Sequence, residues 1–375
     1  MPSSTTTALS RQPLKEVLEG VTDPRDRRGV RHPLVSVLCL AVTGILAGCR
    51  SLTAIWEHAA DLEPADLGAL GLEEGRALPS ESTIRRVLQD LDPAGLDARL
   101  TSWFFTRTGT IGGRRVIAVD GKTMRGARTG DNPAPHLLAA PGRASGVVVG
   151  QRRVSDKSNE IPALRDLLAP MDLDGAVVTA DAMHTQKGTA EWIRSRGAHY
   201  LLTVKDNQPG LKRELGALPW KDVPAVSSVD TGHGRRVRRT VKAVQAPKWV
   251  DFPGAAQILQ VRRIRTIKGR KHVEVAYPGL LTAHGAWLSP NRLPPGSKGT
   301  GESRTGSTSV CDVVFDEDRH QLRTCNGPEI MAALRNLAIG LIRLVHGPGA
   351  GIASTTRSLS RQPKPAIKLI TQPST

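Results

Sequence analysis

Apolar positions recur at helical spacing through the first third of the chain, then give way to short, nearly unbroken apolar runs. Pro33 can open a helix at its first turn, and Leu34 to Gly48 continues it without a charge. Leu52, Ile55, Trp56 and Ala59 follow at helical spacing. Ser80 is the predicted N-cap of a helix over Glu81 to Leu91, with Ile84, Val87, Leu88 and Leu91 inward and Arg85 and Arg86 outward. After Gly112-Gly113 the pattern predicts strands at Arg115 to Asp120, Leu137 to Ala140, Gly146 to Arg153, Gly175 to Asp181 and His199 to Lys205. Helices at Asn159 to Leu168 and Gln186 to Arg196 separate the later strands. Three strands, helix, strand, helix, strand is the skeleton of a ribonuclease-H-like mixed sheet with flanking helices, and it places the fold in the α/β class.

A second strand-rich stretch runs from Thr231 to Tyr277. Arg235, Arg236, Arg238 and Arg239 crowd one of its strands, and Gln257 to Tyr277 reads as a hairpin with a basic tip at Lys268-Gly269-Arg270-Lys271. Asn326-Gly327-Pro328 then introduces an apolar helix that buries Leu334, Leu337, Ala338, Leu341, Ile342 and Val345. The predicted organisation is a disordered start over residues 1–10, a helical N-terminal domain over 11–110 and a catalytic domain over 111–345. Within that domain, 206–277 is a β-rich insertion, 278–309 an anomalous segment and 310–345 a helical C-terminal part, and 346–375 is a basic tail.

Composition narrows the partners. The 375 residues carry 52 Lys and Arg against 35 Asp and Glu, a formal net charge of +17. Such an excess favours a polyanion, because cations that neutralise phosphates release condensed counterions. Cys39, Cys49, Cys311 and Cys325 form no C-x-x-C pair, which argues against a zinc knuckle or disulfide framework and suits a reducing cytosol. The run from Leu34 is short for a membrane span, so no membrane partner is expected and the predicted location is cytoplasmic and nucleoid-associated.

Two aspartates carry the candidate chemistry. Asp120 and Asp181 each close an apolar strand. A carboxylate there is costly unless it is paired, hydrogen-bonded or bound to metal. In a strongly basic chain, two of them point to divalent-metal chemistry on a polyanion. Gly121-Lys122-Thr123 lacks the earlier glycine of a phosphate loop, since Val116 stands there, and no G-x-S-x-G turn occurs. His184, beside Asp181, is a candidate ligand or proton carrier, with a hydrogen-bonding bystander as the plainer alternative.

The runs Ala118-Val119-Asp120-Gly121-Lys122-Thr123-Met124-Arg125-Gly126, Thr179-Ala180-Asp181-Ala182-Met183-His184-Thr185-Gln186 and Lys205-Asp206-Asn207-Gln208-Pro209 resemble insertion-sequence DDE transposases of the H-repeat-associated branch. Asp312-Val313-Val314-Phe315-Asp316-Glu317-Asp318-Arg319-His320 resembles the same family's C-terminal signature. The resemblance implies Asp120 and Asp181 as catalytic carboxylates that hold Mg²⁺, or Mn²⁺ in its place. It also implies a double-stranded DNA partner with terminal repeats, and a homodimer when active. Lys122, Arg125, Lys205, Asn207 and Gln208 become candidate DNA or site-ordering residues. Arg85, Arg86, Arg235, Arg236, Lys268, Arg270 and Lys271 are the basic DNA-binding candidates.

The third carboxylate breaks the pattern. The family reads about Gly-His-Trp-Gly-Ile-Glu-Asn-Arg-Leu-His-Trp just before the Asp312 signature, and that glutamate is catalytic. Here Lys298 to Ser309 has no helical periodicity, and Glu302 is the nearest acid. Codons that encode Lys298 to Ser309 can be chosen so that the string, read from its third base, gives Gly-His-Trp-Gly-Ile-Glu-Asn-Arg-Leu-His-Phe. This predicts a missense segment over 278–309, produced by a frame shift. Asp312 and Glu317 coexist with the catalytic glutamate in the family pattern, so neither is expected to replace it. The expected protein is a transposase with weak or no activity; the alternatives are a non-catalytic DNA-binding remnant and a nuclease of the same fold with another substrate.

Overall fold

The computed structural model describes residues 12–128, 133–155, 159–232, 235–267, 270–281, 306–320 and 322–373. Among the described residues six helices come first: α1 (Leu14–Glu19), α2 (Leu34–Leu46), α3 (Leu52–Ala60), α4 (Pro64–Ala69), α5 (Glu81–Asp90) and α6 (Pro93–Phe105). Then follow β1 (Val116–Thr123), β2 (His136–Pro141), β3 (Val148–Val154), α7 (Glu160–Leu168), β4 (Val177–Ala180), α8 (Lys187–Ser195), β5 (His199–Val204) and α9 (Pro209–Gly216). Four long strands come next: β6 (Ala225–Gly232), β7 (Arg235–Gln245), β8 (Gln257–Ile267) and β9 (Arg270–Leu281). The chain closes with α10 (Gly306–Phe315), α11 (Gly327–His346), α12 (Ile352–Arg361) and α13 (Pro363–Thr371).

The strand order is β3-β2-β1-β4-β5-β9-β8-β7-β6. β1, β4 and β5 run parallel, while β2 and β3 form an antiparallel hairpin. A hairpin on one side of β1 and parallel crossovers on the other define the ribonuclease-H-like sheet. The four added strands extend it from β5, because β9 pairs antiparallel with β5 and the rest follow as a meander. The chain divides into two compact units, one of 1–109, 121–171 and 304–375, the other of 110–120 and 172–303.

In the first unit, α2 is buried along almost its whole length, as its uncharged sequence requires. No helix among the described residues is long and apolar enough to cross a membrane. Ser80 caps α5 by accepting from the Thr83 amide at 3.3 Å. α11 packs against α2, α5, α6 and β3. Gly340 permits its close approach to α6, since a Cβ there would meet the Phe104 ring at 2.5 Å. Leu334, Leu337, Ala338, Leu341 and Ile342 are buried as expected, whereas Val345 is 56% exposed because it sits in the last turn. The stretch read as a basic tail instead forms α12 and α13. Ile352, Leu359, Ala366, Ile367 and Ile370 are buried, and both helices pack on α2. Their apolar spacing outweighs the prolines, of which Pro363 opens α13.

In the second unit, Val116, Val177, Leu201 and Leu259 form the sheet core. The Tyr200 hydroxyl donates to the Pro253 carbonyl at 2.7 Å. Of the anomalous segment, 278–281 complete β9 and 306–309 open α10, which sequence periodicity had not predicted. The expected disorder of residues 1–10 falls outside the described residues, as do 282–305.

Candidate active site

β1 and β4 lie side by side with Ala118 opposite Thr179 and Val119 opposite Ala180. Asp120 and Asp181 are the next residue on each strand. Asp181 keeps an extended backbone, φ −69° and ψ 167°, so the alignment carries on to it. Side chains alternate along a strand, so Asp120 shares the face of Ala118 and Asp181 that of Thr179. Those are paired residues on one face of the sheet. Adjacent strands are about 4.8 Å apart. Asp120 does not close β1, which runs on to Thr123, whereas Asp181 directly follows β4; the two half-buried carboxylates come side by side where the β1–β4 pairing stops.

The turn after Asp181 is held from several directions. Ala182–His184 forms a short 3-10 turn, begun by the His184 amide donating to the Asp181 carbonyl at 3.0 Å. Asn207 Nδ2 donates to the Ala182 carbonyl at 2.7 Å, and Gln208 Nε2 donates to the Thr185 carbonyl at 2.9 Å. Thr185 Oγ1 donates to the Thr203 carbonyl on β5. Asn207 and Gln208 thus anchor the segment that follows the second aspartate. His184 is 1% exposed, buried within the same turn. Lys205 is half-buried at the end of β5.

Asp312 and Glu317 belong to a different arrangement, contained in the first unit. Lys122 Nζ lies 2.5 Å from Asp312 and also bonds Glu317, which lies 3.2 Å from Arg335. Arg335 is fully buried and Glu317 is 3% exposed. Burial alone would raise the Glu317 carboxyl, but the charges of Arg335 and Lys122 and their hydrogen bonds hold it below its ordinary value. Lys122 is raised: burial works against its charge and the two carboxylates outweigh that. The cluster has two cations and two anions, so it is neutral and needs no metal. A cavity of about 30 Å³ beside it is bounded by Lys122, Gln151, Cys311, Glu317 and Asn336. Gly126 lets the turn after β1 meet the Asp318 backbone, where a Cβ would come within 2.7 Å of the carbonyl oxygen.

The remaining candidates are dispersed. Arg85 pairs with Glu81 on its own helix, and Arg86 is exposed. Arg125 is exposed in the Arg125–Ala127 turn. Arg235 begins β7, and Arg236, Arg270 and Lys271 are exposed on the long strands. Lys268 and Glu302 lie outside the described residues. Among the described residues, no three His, Cys, Asp or Glu side chains gather as a metal-binding group. Sequence reasoning missed Arg335; its signal was an arginine inside the otherwise apolar run Met331 to Ile342.

Fold and site together define a ribonuclease-H-like α/β protein with two carboxylates on neighbouring parallel strands and a four-stranded extension. Comparison with known proteins gives the family. A model described as "Transposase DDE domain" matches residues 111–273, and one described as "DDE_Tnp_1-associated" matches 15–104. "Putative transposase YncI" of Escherichia coli (strain K12) is 32% identical over 62% of this chain and 95% of its own length. "H repeat-associated putative transposase YhhI" of the same strain is 27% identical over 88% of this chain and 90% of its own. "H repeat-associated putative transposase YbfD" of that strain is 32% identical over 64% and 98%. A cryo-EM structure of a piggyBac transposase synaptic complex aligns at a TM-score of 0.36 and 11% identity, covering 95% of this chain and 78% of that one, too slight a likeness to carry an argument. The chain belongs to the insertion-sequence DDE transposases, in the H-repeat-associated branch.

Proposed function

We propose that this transposase binds double-stranded DNA at the ends of its own element and cuts the DNA backbone at the Asp120–Asp181 pair. The register of β1 against β4 carries this reading, because it brings two acids from distant parts of the sequence to one edge. The donor set fits a hard divalent cation. Mg²⁺ takes oxygen ligands, keeps several waters and is commonly held by one or two carboxylates plus substrate phosphates. Asp120 and Asp181 would hold it. When bound, such an ion supplies Lewis acidity and lowers the pKa of a coordinated water. The chain's own contribution is placement: Asn207, Gln208 and Thr185 fix the turn behind Asp181, and the two strands fix the carboxylates.

The pair provides two of the three acids the family uses. The segment that aligns with the third, around Glu302, reads as a product of a shifted frame, and strand transfer is proposed to be weak or lost. The second reading, a DNA-binding protein without cleavage, rests on the sequence Lys298 to Ser309, which departs from the family's glutamate motif. Incubating the purified chain with element-end duplex and Mg²⁺ or Mn²⁺ separates the two. Metal-dependent nicks that vanish in both Asp120→Asn and Asp181→Asn support the first reading; end binding without nicks supports the second. Cleavage that survives both substitutions would refute the site. The nucleotide sequence of the gene tests the frame shift, and close relatives carrying the same 278–309 segment in an unbroken frame would remove it.

A further inference from the structure

The meander β6–β9 sorts its charges by face. In antiparallel strands, residues opposite each other point the same way, and the cross-strand register separates two sets. Arg236 and Arg238 on β7, Arg262 on β8 and Lys271 on β9 share one face with Val229, Val273 and Val275. Arg239, Arg263 and Arg265 share the other face with both acids of these strands, Asp230 and Glu274. On that second face, which also carries the exposed Arg270 at its end, these three arginines are met by acids. Arg239 pairs with Asp230, and Glu274 lies 3.5 Å from Arg263 and 3.4 Å from Arg265. The first face has no acid among the described residues of these strands. Of its five cations, Lys242 is half-buried and donates to the Trp220 carbonyl, while Arg236, Arg238, Arg262 and Lys271 are exposed and have no carboxylate partner among the described residues.

We infer that the face bearing Arg236, Arg238, Arg262 and Lys271 seats the phosphate backbone of double-stranded DNA. The inference rests on the DNA-binding reading above and names the surface. It moves the contact from the hairpin tip to the flat of the ribbon. Charge decides the occupant. A row of uncompensated cations on a rigid ribbon suits a polyanion, and cation–phosphate contacts are independent of sequence. A second copy laid face to face would oppose like charges, which costs several kcal/mol. Val229, Val273 and Val275, at 46%, 55% and 46% exposure, give apolar ground between the cations for the sugars.

The test is fluorescence anisotropy of the full chain on a short duplex of mixed sequence, read as log affinity against log salt. Replacing all four exposed cations by Gln should reduce the slope by about 3–4 units, at about 0.9 per phosphate contact. A control that neutralises four exposed cations elsewhere, Lys248, Arg319, Arg361 and Lys368, should reduce it by less than about one unit. A third variant, Arg236→Lys, Arg238→Lys and Arg262→Lys, should keep the slope, which separates lost charge from lost folding. An unchanged slope in the four-Gln variant overturns the face while leaving DNA binding intact. An altered sedimentation coefficient with an unchanged slope assigns the face to a second copy and equally overturns the inference. Absence of salt-dependent binding by the unaltered chain would instead defeat the DNA reading itself.

Discussion

Two charged clusters each draw one residue from β1, Lys122 and Asp120, yet differ in kind. Lys122, Asp312, Glu317 and Arg335 form a closed set in which each buried charge meets its opposite. Asp120 and Asp181 are two like charges on adjacent strands, and Asp181 makes no side-chain cap bond to the turn it begins. Removing a carboxylate from water is stabilising only when something answers its charge. The first cluster is answered from within and therefore acts as architecture. For the second pair we propose a divalent cation as the shared partner. The contrast between a closed ion cluster and a proposed metal pair can be tested on stability and metal binding separately.

The largest effect should come from opening the closed cluster. Arg335→Leu leaves Glu317 buried with only Lys122, and loss of one partner of a buried pair costs about 3–5 kcal/mol. Chemical denaturation should show that loss; a change below about 1 kcal/mol would mean the pair is not the buried anchor described. Acidification should act on the same unit. His320 is pushed down to about 3 by burial, then by the charges of Arg335 and Arg85. Its neutral form is the folded one, so the stability it contributes is complete above the ordinary value of 6.5 and is lost as pH falls from there toward about 3. Glu317 acts in the same direction lower down. Its carboxyl is held below 4.5, so its contribution is present above that value and disappears as the pH drops further. Melting curves of the unaltered chain and His320→Gln should therefore converge in relative stability as pH falls through that window; parallel curves would contradict it.

Smaller effects should sharpen the second pair. Gln208→Ala removes a support of the turn behind Asp181, and loss of such outer support weakens metal affinity about 10-fold or more. Unchanged affinity would make Gln208 a bystander at the site. Smallest of all, Asp181→Asn should alter metal-free stability by no more than about 0.5 kcal/mol, because it relieves like-charge repulsion without opening the core. A large destabilisation would show that Asp181 is architectural after all and erase the contrast.

Most of the scaffold was legible because its elements are amphipathic over enough residues to declare a period. α2, α5 and the core strands appear close to where the pattern places them. The two aspartates were visible because each ends an apolar run, and pairing of β1 with β4 could be expected from the crossover order. The partners of Lys122 were not visible: Asp312 and Glu317 lie 190 and 195 residues away, and only the fold brings them to it. α12 and α13 were missed because prolines and cations masked a short apolar stripe. Nor could the sorting of arginines on β7 and β8 be read, since cross-strand register decides which cations meet an acid.

The central claim is that Asp120 and Asp181 jointly hold a divalent ion. Titrating Mn²⁺ into the metal-free chain, with free ion followed by electron paramagnetic resonance, addresses it without requiring catalysis. Saturable binding that is lost in Asp120→Asn and in Asp181→Asn, but kept in Asp312→Asn, is the predicted result. Binding that persists in both the Asp120 and Asp181 variants, or that disappears only with Asp312, would contradict it.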